Sequence, residues 1–207
     1  MVDDCSCRHE YIEGSWAILF SHPADYTPVC TTELGTVESY ADKFAARGVK
    51  LAALSCDSVE SHEGWIKDIL RSIPDKTDLS YPILADDKRE LAVKLGMLDP
   101  NCLNDAGIPL TARAVFIIGP DKKLKLSLLY PASTGRNFDE IIRVIDSLQL
   151  TSNHSVATPA NWQQGGQCMV LPGLSDEDAS KRFKNGFKPE AVPSGKNYLR
   201  YTDDPSK

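Results

Sequence analysis

From about residue 15 to residue 150, short apolar runs alternate with segments whose apolar residues recur at helical spacing, and this alternation confines the chain to an α/β layer fold. Residues 16–20 (Trp-Ala-Ile-Leu-Phe) have the length of a buried strand, and residues 49–54 read as the next one. Between them Val37, Tyr40, Ala41 and Phe44 mark one helix, stopped at Gly48. Ser58 caps a second helix whose inner face is Ile66, Ile69, Leu70 and Ile73. Residues 81–85 form a third strand, and 89–95 a short helix ending at Gly96. Residues 114–118 and the strictly alternating 124–128 form a hairpin around the turn Gly119-Pro120-Asp121-Lys122. Asn137 with Glu140 opens a last helix bearing Ile141, Val144, Ile145 and Leu148.

Beyond Leu150 the texture changes. Pro159, Pro172, Pro189 and Pro193 interrupt any long element, and only residues 175–183 look helical. The expected division is a main domain over residues 1–150 and a smaller one over 151–207, the latter too weakly apolar to stand alone and suited to wrapping another subunit. At 42% hydrophobic and 25% charged residues, a core forms without help from disulfides. The formal net charge of -6 lacks the basic surplus of a nucleic-acid binder, so that class is excluded. No apolar run approaches the roughly 18 residues that cross a bilayer. Residues 1–10 lack the apolar core of a signal peptide, and the expectation is a cytoplasmic protein. Cys5, Cys7, Cys30, Cys56, Cys102 and Cys168 are scattered without a C-x-x-C pair. They read as reduced thiols, with no metal and no cofactor expected.

The chemistry concentrates in residues 21–33, Ser-His-Pro-Ala-Asp-Tyr-Thr-Pro-Val-Cys-Thr-Thr-Glu, between a strand and a helix. Cys30 falls in the first helical turn, where unpaired N–H groups and the dipole favour a thiolate over a thiol. A free cysteine titrates near about 8.5, and cysteines at helix N-termini or beside cations fall well below that. Thr27, three residues earlier, brings a hydroxyl within reach of the sulfur or of a molecule bound beside it. Pro23 and Pro28 stiffen the loop. A lone cysteine near a helix start is more often a small buried residue than a nucleophile. The longer pattern Pro-x-x-x-Thr-x-x-Cys, met by Pro23, Thr27 and Cys30, is far more restrictive.

This stretch resembles the active-site signature of the peroxiredoxins (the AhpC/TSA family), and its fuller form resembles the one-cysteine, peroxiredoxin-6 subfamily. Further resemblance lies in Leu54-Ser55-Cys56-Asp57-Ser58, Leu95-Gly96-Met97-Leu98-Asp99-Pro100, Thr111-Ala112-Arg113-Ala114-Val115-Phe116, Tyr130-Pro131-Ala132-Ser133-Thr134-Gly135-Arg136-Asn137-Phe138 and Ala157-Thr158-Pro159-Ala160-Asn161-Trp162. The resemblance implies a thioredoxin-like α/β domain with a smaller C-terminal peroxiredoxin domain, and a thiol peroxidase acting on hydrogen peroxide and organic, including lipid, hydroperoxides. It implies that Cys30 is the peroxidatic cysteine, that Thr27 and Pro23 orient the peroxide and cover the thiolate, and that Arg113 faces the sulfur. Glu33 and Arg136 resemble a pair that holds the active-site helix and the arginine; the default reading of such a pair is a surface salt bridge. His22 is read either as a neighbour tuning Cys30 or as a satisfied core histidine.

The tail lacks a Val-Cys-Pro resolving motif, and Cys168 sits in an apolar setting that reads as packing. The resemblance therefore implies a one-cysteine cycle. It implies an external thiol reductant, glutathione assisted by a glutathione transferase, and a homodimer, for which the strand at residues 124–128 offers an edge. The subfamily is also associated with calcium-independent phospholipase A2 and acyltransferase activity, at positions matching His9, Ser15 and Asp121. Here the Gly-x-Ser-x-Gly motif is not intact, since Glu13-Gly14-Ser15-Trp16-Ala17 lacks both flanking glycines. Asp121 is equally explained as a turn residue. Residues 1–7 depart from the family pattern, and the expectation is an atypical start to the first domain.

Overall fold

The computed structural model describes residues 10–71 and 73–207; His9, Cys5 and Cys7 lie outside the described residues. The chain divides into two compact units, one ending at Phe138 and the other running from Asp139 to Lys207. In the first, β1 (Trp16–Ser21), β2 (Val49–Ser55), β3 (Ile83–Ala85), β6 (Arg113–Ile118) and β7 (Leu124–Tyr130) form a sheet of order β3-β2-β1-β6-β7. β1 pairs parallel with β2 and antiparallel with β6, so it is central, and its apolar run follows from having no edge to give to water. β6 and β7 form the expected hairpin.

Where one helix is expected over residues 37–44, two are present, α1 (Pro28–Ser39) and α2 (Ala41–Ala45), broken at Tyr40. The hydroxyls of Thr32, Thr36 and Ser39 each donate to a backbone carbonyl three or four residues back, a competition that loosens a helix. The break itself is a forked bond from Tyr40 N to the carbonyls of Thr36 and Val37. Ser58 caps α3 (Val59–Leu70) as expected, accepting from Ser61 N at 3.3 Å. That helix stops at Leu70, short of Ile73, and its buried face keeps the expected Ile69 and Leu70 but adds His62 and Trp65 in place of Ile66 and Ile73. The next helix, α4 (Glu90–Lys94), is shorter than expected because Arg89 adopts a left-handed backbone with φ 60. The Asp86 carboxylate supplies its N-terminal partners, accepting from Leu91 N and Ala92 N. A small hairpin of β4 (Leu98–Leu103) and β5 (Pro109–Thr111) has no counterpart in the sequence reading. Pro100 and Pro109 hide it from periodicity.

The second unit begins in α5 (Phe138–Asn153), a helix that straddles the expected boundary at residue 150. Its four-stranded sheet is ordered β10-β11-β9-β8, from β8 (Val156–Ala157), β9 (Cys168–Val170), β10 (Lys188–Pro189) and β11 (Arg200–Thr202). The helix expected over 175–183 is α6 (Asp176–Arg182), capped by Ser175. The tail, expected to be too weakly apolar to stand alone, nonetheless gathers an apolar cluster. Leu150, Val156, Trp162, Cys168, Val170, Ala179 and Phe183 are buried together. Short strands carry few residues each, so the cluster is assembled from positions too far apart in sequence to register as a pattern. No helix among the described residues is long and apolar enough to cross a membrane.

Candidate active site

β1 ends at Ser21, and the chain crosses to α1 through residues 22–27. Thr27 is the N-cap in extended conformation, and Pro28 occupies the first helical position, where a missing N–H costs nothing. Cys30 is therefore in the first turn, as expected, and is fully buried. Arg113 opens β6, and its Nη1 donates to Cys30 Sγ at 3.2 Å and to Glu33 Oε2 at 2.7 Å. Its Nε and Nη2 both donate to the Ala132 carbonyl, which fixes the plane of the guanidinium.

Glu33, one turn along α1 from Cys30, binds two guanidinium groups at once. Oε1 accepts from Arg136 N and Nε, each at 2.8 Å, and Oε2 accepts from Arg136 Nη2 at 2.9 Å besides Arg113. Arg136 Nη1 donates onward to the carbonyls of Ser21 and Ala114, and the guanidinium lies over the Phe20 ring at 5.4 Å. The default reading of Glu33 and Arg136 as a surface pair is thereby corrected: all three side chains are buried. Burial alone would raise the Glu33 carboxyl, but the hydrogen bonds and charge of Arg136, with the charge of Arg113, outweigh it and hold it below the usual carboxylate range.

Two expectations change. The Thr27 hydroxyl donates to the Ala24 carbonyl at 2.9 Å, not to the sulfur. His22 is fully buried, and its Nε2 bonds Asp25 Oδ1 at 2.8 Å while its ring packs on Trp65, with centroids 5.2 Å apart. Of the two readings open for His22, its contacts are those of a core histidine held through Nε2 rather than a neighbour bonded to Cys30. Burial, ahead of the opposing influence of Asp25, lowers its pKa. Pro23 is buried beside it in the loop.

Of the candidate lipase set, Ser15 and Asp121 lie among the described residues, and each has a local partner. The Ser15 hydroxyl donates to the Glu13 carbonyl at 3.3 Å. The Asp121 carboxylate accepts from Lys125 Nζ at 2.7 Å and from Lys123 N, as a turn residue does. His9 lies outside the described residues.

The sequence reading missed Asp25, Asp57, Ser61 and His62. The carboxylate of Asp25 accepts from His22, from His62 Nδ1 at 2.7 Å and from Ser61 Oγ at 2.7 Å. Desolvation works to raise Asp25, yet these hydrogen bonds hold it far below the usual carboxylate range. Only its place in the quoted signature marks Asp25, and nothing in the sequence marks His62. His22, Asp25 and His62 bring three ligand atoms within 4.8 Å of one another. A ligating histidine needs a second-shell acceptor for its other ring nitrogen. His22 Nδ1 and His62 Nε2 meet no partner among the described residues, so the set fits a hydrogen-bonded triad better than a metal centre.

A buried sulfur in a first helical turn, with a rigid guanidinium against it at the edge of a thioredoxin-like sheet, defines the class of thiol peroxidases. Comparison with known proteins makes the assignment specific. Residues 3–127 match the AhpC/TSA family, and residues 147–186 match the C-terminal domain of 1-Cys peroxiredoxin. The chain is 59% identical to peroxiredoxin-6 of Gallus gallus over 95% of its own length and 89% of that protein, and 57% identical to the Homo sapiens protein over the same shares. A cysteine-to-serine mutant of peroxiredoxin 6 from Arenicola marina superposes with TM-score 0.93 at 60% identity, over 97% of this chain and 90% of that one. A yeast mitochondrial 1-Cys peroxiredoxin superposes with TM-score 0.82 at 40% identity, over 95% and 90%. The chain belongs to the AhpC/TSA family of peroxiredoxins, and it is a thiol peroxidase.

Proposed function

We propose that Cys30 is the peroxidatic cysteine of a one-cysteine cycle. The observation that carries this reading is the Arg113 Nη1 contact with Cys30 Sγ at 3.2 Å. A fixed positive charge favours the thiolate and stabilises the oxyanion that develops as the peroxide splits. The thiolate attacks the terminal peroxide oxygen; an S–O bond forms as the O–O bond breaks, and the departing alkoxide or hydroxide takes up a proton. The sulfur is left as a sulfenic acid, oxidised by two electrons. Pro23 shields the site, Thr27 orients the peroxide after releasing Ala24, and Glu33 with Arg136 holds Arg113 in place.

An external thiol then attacks the sulfenic sulfur and expels water, and a second thiol releases Cys30. The thiols of Cys56 and Cys168 are pushed up to about 11, mainly by burial, which makes them poor resolving nucleophiles at neutral pH. In the yeast mitochondrial 1-Cys peroxiredoxin, thiol resolution runs via glutathione/thioredoxin systems. Glutathione, assisted by a glutathione transferase, is the donor we infer for this chain. Separate family matches over residues 3–127 and 147–186 support a peroxidase domain over residues 1–150 and a C-terminal domain over 151–207. β7 ends the sheet and exposes Leu124 and Leu129, and it is the edge through which two copies would pair as a homodimer. Free thiols at Cys30, Cys56, Cys102 and Cys168 suit the cytoplasm.

The test is Cys30→Ser, assayed by stopped-flow hydroperoxide consumption and circular dichroism. Activity disappears while the fold persists; full activity in that variant would defeat the mechanism.

A further inference from the structure

The crossing from β1 to α1 contains a residue that does not hold its conformation unaided. Tyr26 has φ 53, in the left-handed region that a bulky L-residue rarely occupies. It directly precedes the N-cap Thr27, so its backbone sets the angle at which the first turn of α1, with Cys30, leaves the loop. The contacts that offset this strain come largely from one helix. From α3, Ser61 Oγ and His62 Nδ1 both donate to Asp25 Oδ2, each at 2.7 Å. Gly64 leaves room for the tyrosine hydroxyl: a Cβ there would stand 2.5 Å from Tyr26 Oη. Trp65 Nε1 donates to Thr31 Oγ1 at 3.1 Å, and its ring packs against both His22 and Tyr26. The end of β2 completes the hold, since Asp25 N donates to Asp57 Oδ2, which also accepts from Ser55 Oγ.

We propose that α3 is the template on which the reactive loop is shaped, and that His62 is a positioning residue for the peroxidase reaction, acting through Asp25. The proposal rests on the reading of Cys30 as the reacting sulfur. His62 suits the role for two reasons. Its side chain is buried, so its bond to Asp25 is made without competition from water. The carboxylate it grips is also gripped by His22, so one anion ties the loop's start at residue 22 to its turn at residue 25 and both to α3. Without the His62 donor, Asp25 keeps Ser61 and His22 but loses its imidazole link to α3. The strain at Tyr26 is then free to relax, and the first turn of α1 moves relative to Arg113, whose guanidinium is also anchored on the Ala132 carbonyl outside α1. Misplacing reacting groups by about an ångström costs roughly 100-fold in rate.

The experiment compares wild type, His62→Leu and His62→Asn by stopped-flow oxidation of Cys30 with hydrogen peroxide, with thermal unfolding measured on each. Leucine fills the space without donating, whereas the asparagine amide stands where the imidazole Nδ1 stood. His62→Leu is expected to react about 10- to 100-fold more slowly while folded at the assay temperature, and His62→Asn to recover to within about threefold, roughly 0.65 kcal/mol by the relation of rate to barrier. A folded His62→Leu protein with the wild-type rate overturns the proposal, as does a rate that only tracks the folded fraction and is not rescued by asparagine. If His62→Leu does not fold, Asp25→Asn carries the same comparison, and a wild-type rate there is equally fatal. Cys30→Ser, run alongside, separates the two levels. Peroxide consumption surviving in it overturns the reading of Cys30 and this proposal with it, whereas an inert Cys30→Ser beside a fast His62→Leu removes the role of His62 alone.

Discussion

Replacing Glu33 by glutamine isolates the charge that balances the active-site arginines. The native carboxylate carries four hydrogen bonds from Arg113 and Arg136, and the Arg113 and Glu33 side chains are each 3% exposed while that of Arg136 is 0% exposed. Removing one partner of such a buried set leaves uncompensated charge, which costs about 3–5 kcal/mol. Glutamine keeps the shape and one accepting oxygen, so the lower end, about 3 kcal/mol, is expected. With native stabilities of about 5–15 kcal/mol the variant stays folded at 25 °C, and Tm falls by roughly 6–12 °C at about 2–4 °C per kcal/mol. Urea unfolding at several pH values is the assay. Glu33 titrates lower in the folded chain than in the unfolded one, so its contribution is fully present above about pH 4.3 and is lost as pH falls through the folded value. The gap between wild type and Glu33→Gln therefore narrows below about pH 4.3. A gap under about 1 kcal/mol at pH 7, the size of an exposed ion pair, would refute the reasoning.

Arg113→Lys keeps a charge but loses the fork that bridges Cys30, Glu33 and Ala132. Peroxide reduction by stopped flow drops roughly 100-fold, and an unchanged rate would show that any cation suffices. Burial raises the thiols of Cys56, Cys102 and Cys168, so iodoacetamide at pH 7 modifies Cys30 ahead of these three by peptide mass mapping. Equal labelling of Cys56 would contradict the assignment of the reactive thiol. With Ser15 bonded to Glu13 and Asp121 to Lys125, Ser15→Ala leaves any phospholipid hydrolysis by the purified protein unchanged. Hydrolysis lost in Ser15→Ala but kept in Cys30→Ser would overturn this expectation and establish a lipase centre.

What the sequence made legible was local. Period-two alternation at residues 124–128 and the apolar runs at 16–20, 49–54 and 114–118 specify their strands because burial of whole faces is written in consecutive residues. The cap at Ser58 is legible for the same reason. The break at Tyr40 is less so, because it depends on hydroxyls choosing backbone carbonyls in a folded helix. Within the site, Cys30, Thr27, Pro23 and Arg113 stand out through the resemblance. The burial of Glu33 and Arg136 does not, since they are far apart in sequence and only the tertiary fold brings them together. His62 is the extreme case, a polar residue on the buried face of an amphipathic helix whose partner lies on another segment.

That partner, like Arg113, is delivered by strand direction. β1 and β2 run parallel with Ser21 opposite Leu54, so both strands finish at one edge of the sheet and release residues 22–27 and Ser55 with Asp57 there. β6 runs antiparallel to β1, with Phe20 opposite Val115, so its beginning rather than its end reaches the same edge. Arg113, the first residue of β6, is thereby set beside a helix that starts a few residues after β1 stops. A parallel strand in that position would carry its first residue to the opposite edge and leave the sulfur without its cation. The single antiparallel neighbour of β1 is what brings a helix N-terminus and a strand N-terminus together, adding a charge fixed by the Ala132 carbonyl to the partial positive charge of the helix dipole at Cys30.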